Sequence, residues 1–341
     1  MYILGIETSC DETAASIIQV NSSGKLTVLT NIISSQIEIH KKYGGVIPEV
    51  AAREHVLNIL PVINESLAKA KIDYKKIDLI AVTKGPGLIT SLITGLETAK
   101  TLAYAWKKPL IGINHIEGHI YSNFINPSKP IKFPALVLTV SGGHTILVLM
   151  LGHNKYKIIG ETLDDAAGEA YDKGAKMLGL GYPGGPIISK LAIEYKNSGQ
   201  SSTLKLPRPM LNVNNFNFSF SGLKTSLLYK LKKDNNWPNR INEYCFAYEE
   251  AIIEILVKKT LKAATKYKIK TIMLAGGVSA NKELREEFKL KLSKKYHFLV
   301  PALDHTTDNA VMIATAGYYR YKNKGVKNRS NLKVDSNLKL Q

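Results

Sequence analysis

The order of secondary-structure signals constrains this chain most, because the same series runs through it twice. Alternating and continuous apolar stretches predict strands at about 2–8, 14–20 and 26–34. A helical period follows over about 48–70, opened by Pro48 in the first turn, where a missing amide proton costs nothing. A short buried strand at 79–82, a Gly85-Pro86-Gly87 turn, a helix over 89–106 and a strand at 109–113 complete the first series. After the Pro-bearing stretch 126–134 the order restarts, with strands at 135–141, 144–151 and 156–161. A long inserted stretch leads to a helix at 241–267, a strand at 271–274, a helix from 280, a strand at 298–300 and a helix from Asp308 to about Tyr321. A duplicated β-β-β-α-β-α-β unit predicts an α/β protein with two lobes, residues 1–125 and 131–321, the second carrying an insertion over about 163–240. The cleft between such lobes is the usual place for a ligand. From 322 to 341 the chain turns polar and basic without periodicity, which predicts an unstructured tail.

Composition removes several alternatives. With 341 residues, 45% hydrophobic and 22% charged, the chain is too apolar for disorder, and no apolar run approaches the ~18 residues of a membrane span. The first residues enter a strand and do not read as a signal peptide. Cys10 and Cys245 give neither a disulfide framework nor a metal knuckle, so a reducing cytoplasm is expected. The net charge of +18 has two readings. It fits a polyanionic partner, yet all but six of the 46 basic residues are lysine, which equally fits compositional drift. Arginine is the usual bidentate reader of phosphate, so a lysine excess implies diffuse attraction at most.

Three constellations carry chemistry. His115 and His119 stand at i and i+4 after a strand, so on a helix both imidazoles share a face and can reach one metal ion. Such a pair is also often incidental. Glu117 lies two positions after the first histidine and points off the metal face, unlike the base of an H-E-x-x-H protease. Asp308 fits a third ligand, or alternatively the N-cap of the last helix. The Gly-rich turns Ser141-Gly142-Gly143-His144, Gly184-Gly185-Pro186 and 275–281 follow strands or open helices. Together they suit close approach of a nucleotide, although none matches a P-loop or a G-x-G-x-x-G fingerprint. In the segment 163–173, Asp164 or Asp165 reads as an N-cap and Glu169 as a surface residue. Asp172 is either a solvated helix residue or an acceptor for a ribose or amine. Phe216, Phe218 and Phe220 alternate like a strand with one buried aromatic face.

Taken jointly, these segments resemble the tRNA N6-adenosine threonylcarbamoyltransferase family, long labelled O-sialoglycoprotein endopeptidases. The likeness spans about residues 2–321. It is carried by Gly5-Ile6-Glu7-Thr8-Ser9-Cys10-Asp11-Glu12-Thr13, Tyr43-Gly44-Gly45-Val46-Ile47-Pro48-Glu49, Gly85-Pro86-Gly87-Leu88, the His115/His119 pair, Val140-Ser141-Gly142-Gly143-His144-Thr145, residues 165–173, Tyr182-Pro183-Gly184-Gly185, Phe220-Ser221-Gly222-Leu223-Lys224-Thr225, Gly276-Gly277-Val278-Ser279-Ala280-Asn281 and Thr307-Asp308-Asn309-Ala310.

The resemblance implies the two-lobed actin-like ATPase (ASKHA) fold. It implies transfer of a threonylcarbamoyl group from threonylcarbamoyl-AMP to N6 of adenosine 37 in tRNAs reading codons that begin with A, releasing AMP. It places a divalent metal, Fe2+ ahead of Zn2+, on His115, His119 and Asp308. It places substrate on Thr139, Val140, Ser141, Gly142, Gly143, Asp172, Gly185 and Asn281. Two departures stand out: Thr90 replaces a common Gly, and Ser189 replaces an Asp that bacterial relatives often use for substrate. Because the donor is a mixed anhydride, no protein nucleophile is needed. Asp11 or Glu12, two acids in a polar loop, are the candidates for the base that takes the N6 proton. The implied partners are tRNA, a smaller inactive paralogue bound through the N-terminal lobe, and a P-loop ATPase, with no membrane. The rival readings are a metalloprotease and a small-molecule kinase of the same fold.

Overall fold

The computed structural model describes residues 1–292, 296–325 and 332–340. The strands are β1 (Tyr2–Glu7), β2 (Glu12–Val20), β3 (Leu26–Ser35), β4 (Leu79–Gly85), β5 (Leu110–Asn114), β6 (Ala135–Val140), β7 (Thr145–Gly152), β8 (Lys155–Glu161), β9 (Thr271–Ala275) and β10 (His297–Leu299). The helices are α1 (Ile37–Lys41), α2 (Pro48–Ala70), α3 (Ile89–Ala105), α4 (His115–Tyr121), α5 (Ala167–Met177), α6 (Gly184–Asn197), α7 (Ser221–Lys233), α8 (Ile241–Lys266), α9 (Lys282–Lys291) and α10 (Ala310–Lys324). Two five-stranded sheets result, ordered β3-β2-β1-β4-β5 and β10-β9-β6-β7-β8. Matched strand for strand, the orders are identical. In both, the first two strands are antiparallel, while the first and fourth, and the fourth and fifth, are parallel. The duplication read from the sequence is therefore one of topology as well as of order.

The chain divides into two compact units, residues 1–131, 151–156 and 301–341, and residues 132–150 and 157–300. The division differs from the expected one at the last helix: α10 follows the second sheet but belongs to the first unit. Its seat is cut to fit. A Cβ on Gly5 of β1 would stand 2.2 Å from the carbonyl oxygen of Ala310, and one on Gly118 of α4 would stand 2.7 Å from Ile313. The first unit's core is the aliphatic face of β1, β2 and β4 (Leu4, Ile6, Ile17, Ile80, Val82) against α2 and α3. The second unit's core packs β6, β7 and β9 under α5, α7 and the long buried α8.

Two local readings change. Phe216, Phe218 and Phe220 are buried, but they form only a single bridge, Phe218 to Thr162, since Phe218 exchanges backbone bonds with Glu161 and Leu163 and no ladder follows. Asp164 caps a different helix from the one it precedes: it accepts the Phe220 and Ser221 amides at 2.7 and 3.2 Å at the start of α7. The tail also departs from expectation. Helix α10 runs to Lys324, and part of 332–340 is bonded to the first unit: Asp335 N–H donates to Lys84 O (2.9 Å), and Asn114 Nδ2 to Leu338 O (3.2 Å). Leu332 and Val334 pack on that unit's core. The intervening residues 326–331 of the expected tail lie outside the described residues. No helix among the described residues is long and apolar enough to cross a membrane, and both cysteines are free thiols.

Candidate metal centre and substrate-binding positions

Asn114 ends β5 and caps α4, its Oδ1 accepting the Ile116 and Glu117 amides at 2.8 and 3.3 Å. That cap starts the helix at His115, so His119 falls one turn on. The two rings meet edge to face, centroids 4.6 Å apart. Asp308 is not the cap of α10. Asn309 is, with its Oδ1 accepting Met312 N–H at 3.0 Å. Asp308 Oδ1 instead lies 3.1 Å from His119 Nε2 and 3.4 Å from His115 Nε2. One donor atom from each of the three residues lies within 4.8 Å of the others. His119 is wholly buried, and neither ring nitrogen makes a hydrogen bond among the described residues. A buried polar atom left so costs about 1–3 kcal/mol, and ligation of a cation by Nε2 would satisfy one of the two. Two imidazoles and a carboxylate on one point fit a divalent transition metal.

The far side of His115 is equally specific. Its Nδ1 stands 3.0 Å from Ser9 Oγ and 3.3 Å from Glu7 Oε2. Glu7, wholly buried at the end of β1, also accepts the Ser9 amide at 2.6 Å and the Thr83 hydroxyl at 2.5 Å. Burial works against a charge on His115, but the carboxylates of Asp308 and Glu7 overcome it and push its pKa up to about 9. Glu7 is the mirror case: burial pushes upward, and the His115 charge and hydrogen bond hold the carboxyl below its usual range. Glu117 faces elsewhere. It pairs with Arg320 at 2.5 Å and accepts Asn154 Nδ2 at 2.9 Å and the Tyr156 hydroxyl at 3.0 Å, so it serves the packing of α4 on α10 and the 151–156 turn.

The loop after β1 holds the other acids. Asp11 is nearly buried, and Glu12 opens β2 half-buried. Burial first, then the charges of Asp11 and Asp308, push the Glu12 carboxyl well above its ordinary range. The same influences raise the Cys10 thiol, which removes it as a thiolate nucleophile.

The second unit holds the remaining expected positions. Thr139 and Val140 end β6, both buried, and the Thr139 hydroxyl has no hydrogen-bond partner among the described residues. The turn after them is braced by Ser141 N–H to His144 O (2.8 Å), His144 N–H to Ser141 Oγ (3.1 Å) and Gly168 N–H to Ser141 O (3.1 Å). Gly142 and Gly143 face open space, since a Cβ on either would meet nothing within 4 Å. Asp172 Oδ1 accepts the Gly184 amide at 2.7 Å, which places it beside Gly185. Asn281 is committed inward: its Oδ1 caps α9 through Leu284 N–H (2.8 Å), and its Nδ2 donates to Ser189 Oγ (2.8 Å) and Glu249 Oε1 (2.7 Å). That same Glu249 oxygen accepts the hydroxyls of Ser189 (2.5 Å) and Tyr171 (3.4 Å). Burial pushes the Glu249 carboxyl up, its neutral donors only partly offsetting this. Thr90 is exposed on α3.

Comparison with known proteins settles the family. The sequence profile of "TsaD: tRNA N6-adenosine threonylcarbamoyltransferase" matches residues 27–315. A tRNA N6-adenosine threonylcarbamoyltransferase of Thermosipho africanus is 48% identical, covering 100% of both chains, and one of Syntrophomonas wolfei is 48% identical, covering 94% of this chain and 93% of its own. The chain belongs to the tRNA N6-adenosine threonylcarbamoyltransferase family. Among solved structures, HypF of T. kodakarensis aligns with TM-score 0.60 at 14% identity, over 98% of this chain and 49% of that one. A full-length HypF in a phosphate- and nucleotide-bound form gives 0.60 at 11%, over 96% and 56%. At such identities the likeness concerns the fold alone, and it agrees with the α/β actin-like class expected of a threonylcarbamoyltransferase of this family. Within that family fold, Glu7 and Glu249 are the buried carboxylates that motif reading passed over. Glu7 carried one usable signal, an acid closing an otherwise apolar strand.

Proposed function

We propose that this chain transfers the threonylcarbamoyl group of threonylcarbamoyl-AMP to N6 of adenosine 37 in tRNAs that read codons beginning with A, forming t6A and releasing AMP. The observation that carries the reading is the convergence of His115, His119 and Asp308 in a chain whose full length matches threonylcarbamoyltransferases. These three residues would hold a divalent ion; two imidazoles and one carboxylate suit both Fe2+ and Zn2+, and Fe2+ is placed first on the family resemblance alone. When bound, the ion supplies Lewis-acid polarisation of a carbonyl or phosphoryl oxygen.

The chain's own residues do the rest. A mixed anhydride already carries a good leaving group, and with Cys10 held as a thiol no covalent intermediate is called for. Orientation therefore dominates, and fixing donor and amine in attack geometry supplies up to roughly 7–11 kcal/mol. The open Gly142–Gly143 turn admits the adenylate to the backbone, with Thr139, Val140, Ser141, Asp172 and Gly185 as its other contacts. Asn281 contributes by fixing the start of α9. Glu12, whose carboxyl is pushed above the ordinary carboxylate range and is therefore the stronger base, takes the N6 proton, with Asp11 beside it. Partners follow the same reading: tRNA drawn by the basic surface, a smaller inactive paralogue docking on the exposed apolar residues Val56, Leu57 and Leu60 of α2, and a P-loop ATPase, all in the cytoplasm. Depleting the protein and measuring threonylcarbamoyladenosine in bulk tRNA by mass spectrometry tests this, and an unchanged level rejects it. The protease reading loses its base, because Glu117 is bound to Arg320, Asn154 and Tyr156.

A further inference from the structure

The two histidines of the candidate metal centre are held differently. His119 has neither ring nitrogen hydrogen-bonded among the described residues, whereas His115 has two oxygens against Nδ1. One of these, Glu7 Oε2, belongs to a carboxylate with no access to solvent, and an ionised carboxylate is an acceptor only. A buried carboxylate is expensive unless its lone pairs are used, and here they are: Ser9 N–H at 2.6 Å on Oε1, and the Thr83 hydroxyl at 2.5 Å with His115 Nδ1 at 3.3 Å on Oε2. Those donors come from the loop after β1, from β4 and from α4, so Glu7 ties three elements to one ring.

We propose that Glu7 is a positioning residue for the metal centre, accepting a hydrogen bond from His115 Nδ1–H so that the Nε2 lone pair is left for a divalent cation shared with Asp308. This rests on the reading of His115, His119 and Asp308 as a metal site. The arrangement fixes the tautomer: a proton on Nδ1, shared between Glu7 and Ser9, leaves Nε2 as the ligand atom. An outer carboxylate of this kind both orients an imidazole and strengthens it as a donor, and its loss typically costs 10–100-fold in metal affinity. Ser9 alone cannot replace it, because its hydroxyl brings no charge. His115 is thus held from behind by hydrogen bonds that His119 lacks.

The test titrates metal-free protein with Fe2+ under anaerobic conditions, and with Zn2+, reading the dissociation constant by calorimetry and the apo-protein's melting temperature separately. Glu7→Gln, nearly the same shape without the charge, is expected to weaken binding about 10–100-fold. Thr83→Val, which keeps Glu7 but removes one of its anchors, is the variant for the case in which Glu7→Gln does not fold, and it should weaken binding about tenfold in the same direction. A lowered apo melting temperature with an unchanged dissociation constant in both variants would make Glu7 a packing residue and overturn the proposal. Wild-type protein that takes up neither ion would overturn the metal reading itself, and this assignment with it.

Discussion

Each unit buries one carboxylate in a hydrogen-bonded nest, and the two behave in opposite ways. Glu7 lies against an imidazole and is held below its ordinary pKa, while Glu249 lies among two hydroxyls and an amide and is pushed above it. Both are buried to a similar degree, at 0% and 3% exposure, so burial does not explain the difference. The partner does: a group able to carry positive charge returns the desolvation cost of an anion, and neutral donors return only part of it. The first unit is therefore electrostatically prepared for a cation, whereas in the second the neutral donors around the buried carboxyl are already spent on it.

The comparison breaks most visibly at Asp308. Asp308→Ala removes the carboxylate shared by both Nε2 atoms, and metal affinity should fall by more than the ~100-fold ascribed to an outer-shell change. Threonylcarbamoyladenosine formation should disappear with it, as read by mass spectrometry of tRNA modified in vitro. The acid-base side of the first unit shows in ion-free protein. Because the folded pKa of His115 is raised to about 9 from 6.5, its stabilisation is complete below pH 6.5 and is lost as pH rises toward 9. Urea unfolding in chelator should register a loss on the order of 3 kcal/mol across that window. Gly5→Ala probes whether the centre depends on how α10 is seated. With Ala310 O only 2.2 Å from the new methyl, a cost of about 1–3 kcal/mol and weaker metal uptake are expected together. The smallest effect belongs to the second unit. Since the folded pKa of Glu249 is raised, wild type loses stability as pH climbs through that value, and Glu249→Gln does not. The variant should gain stability relative to wild type as pH rises above the ordinary carboxylate range, with metal affinity unchanged, and a pH-independent difference would deny the contrast between the units.

Much of this was legible in the sequence, for reasons that differ by feature. The repeated order of strands and helices survives because apolar periodicity is a local property, and the i, i+4 histidines were readable because α4 is a regular helix capped by Asn114. Asp308 was ambiguous between cap and ligand until Asn309 proved to be the cap. What the sequence hides is non-local. Nothing in the final helix says that it packs on β1, since the fit is a matter of Gly5 and Gly118 more than three hundred and nearly two hundred residues upstream of it. Leu332, Val334 and Asp335 sit in a lysine-rich stretch whose composition speaks of solvent, yet they lie on the first unit. Glu249 occupies a helix whose neighbours are core residues, and its contacts with Asn281, Ser189 and Tyr171 distinguish it from a solvated glutamate.

The return of α10 to the first unit also has a consequence in time. A ribosome that has delivered His119 must still add about 190 residues before Asp308, roughly 10–40 s of synthesis, and those residues include the whole second unit. Throughout that interval the nascent chain exposes two imidazoles without their carboxylate. A three-ligand centre on His115, His119 and Asp308 can therefore assemble only after synthesis of the whole second unit, which contributes no ligand to it.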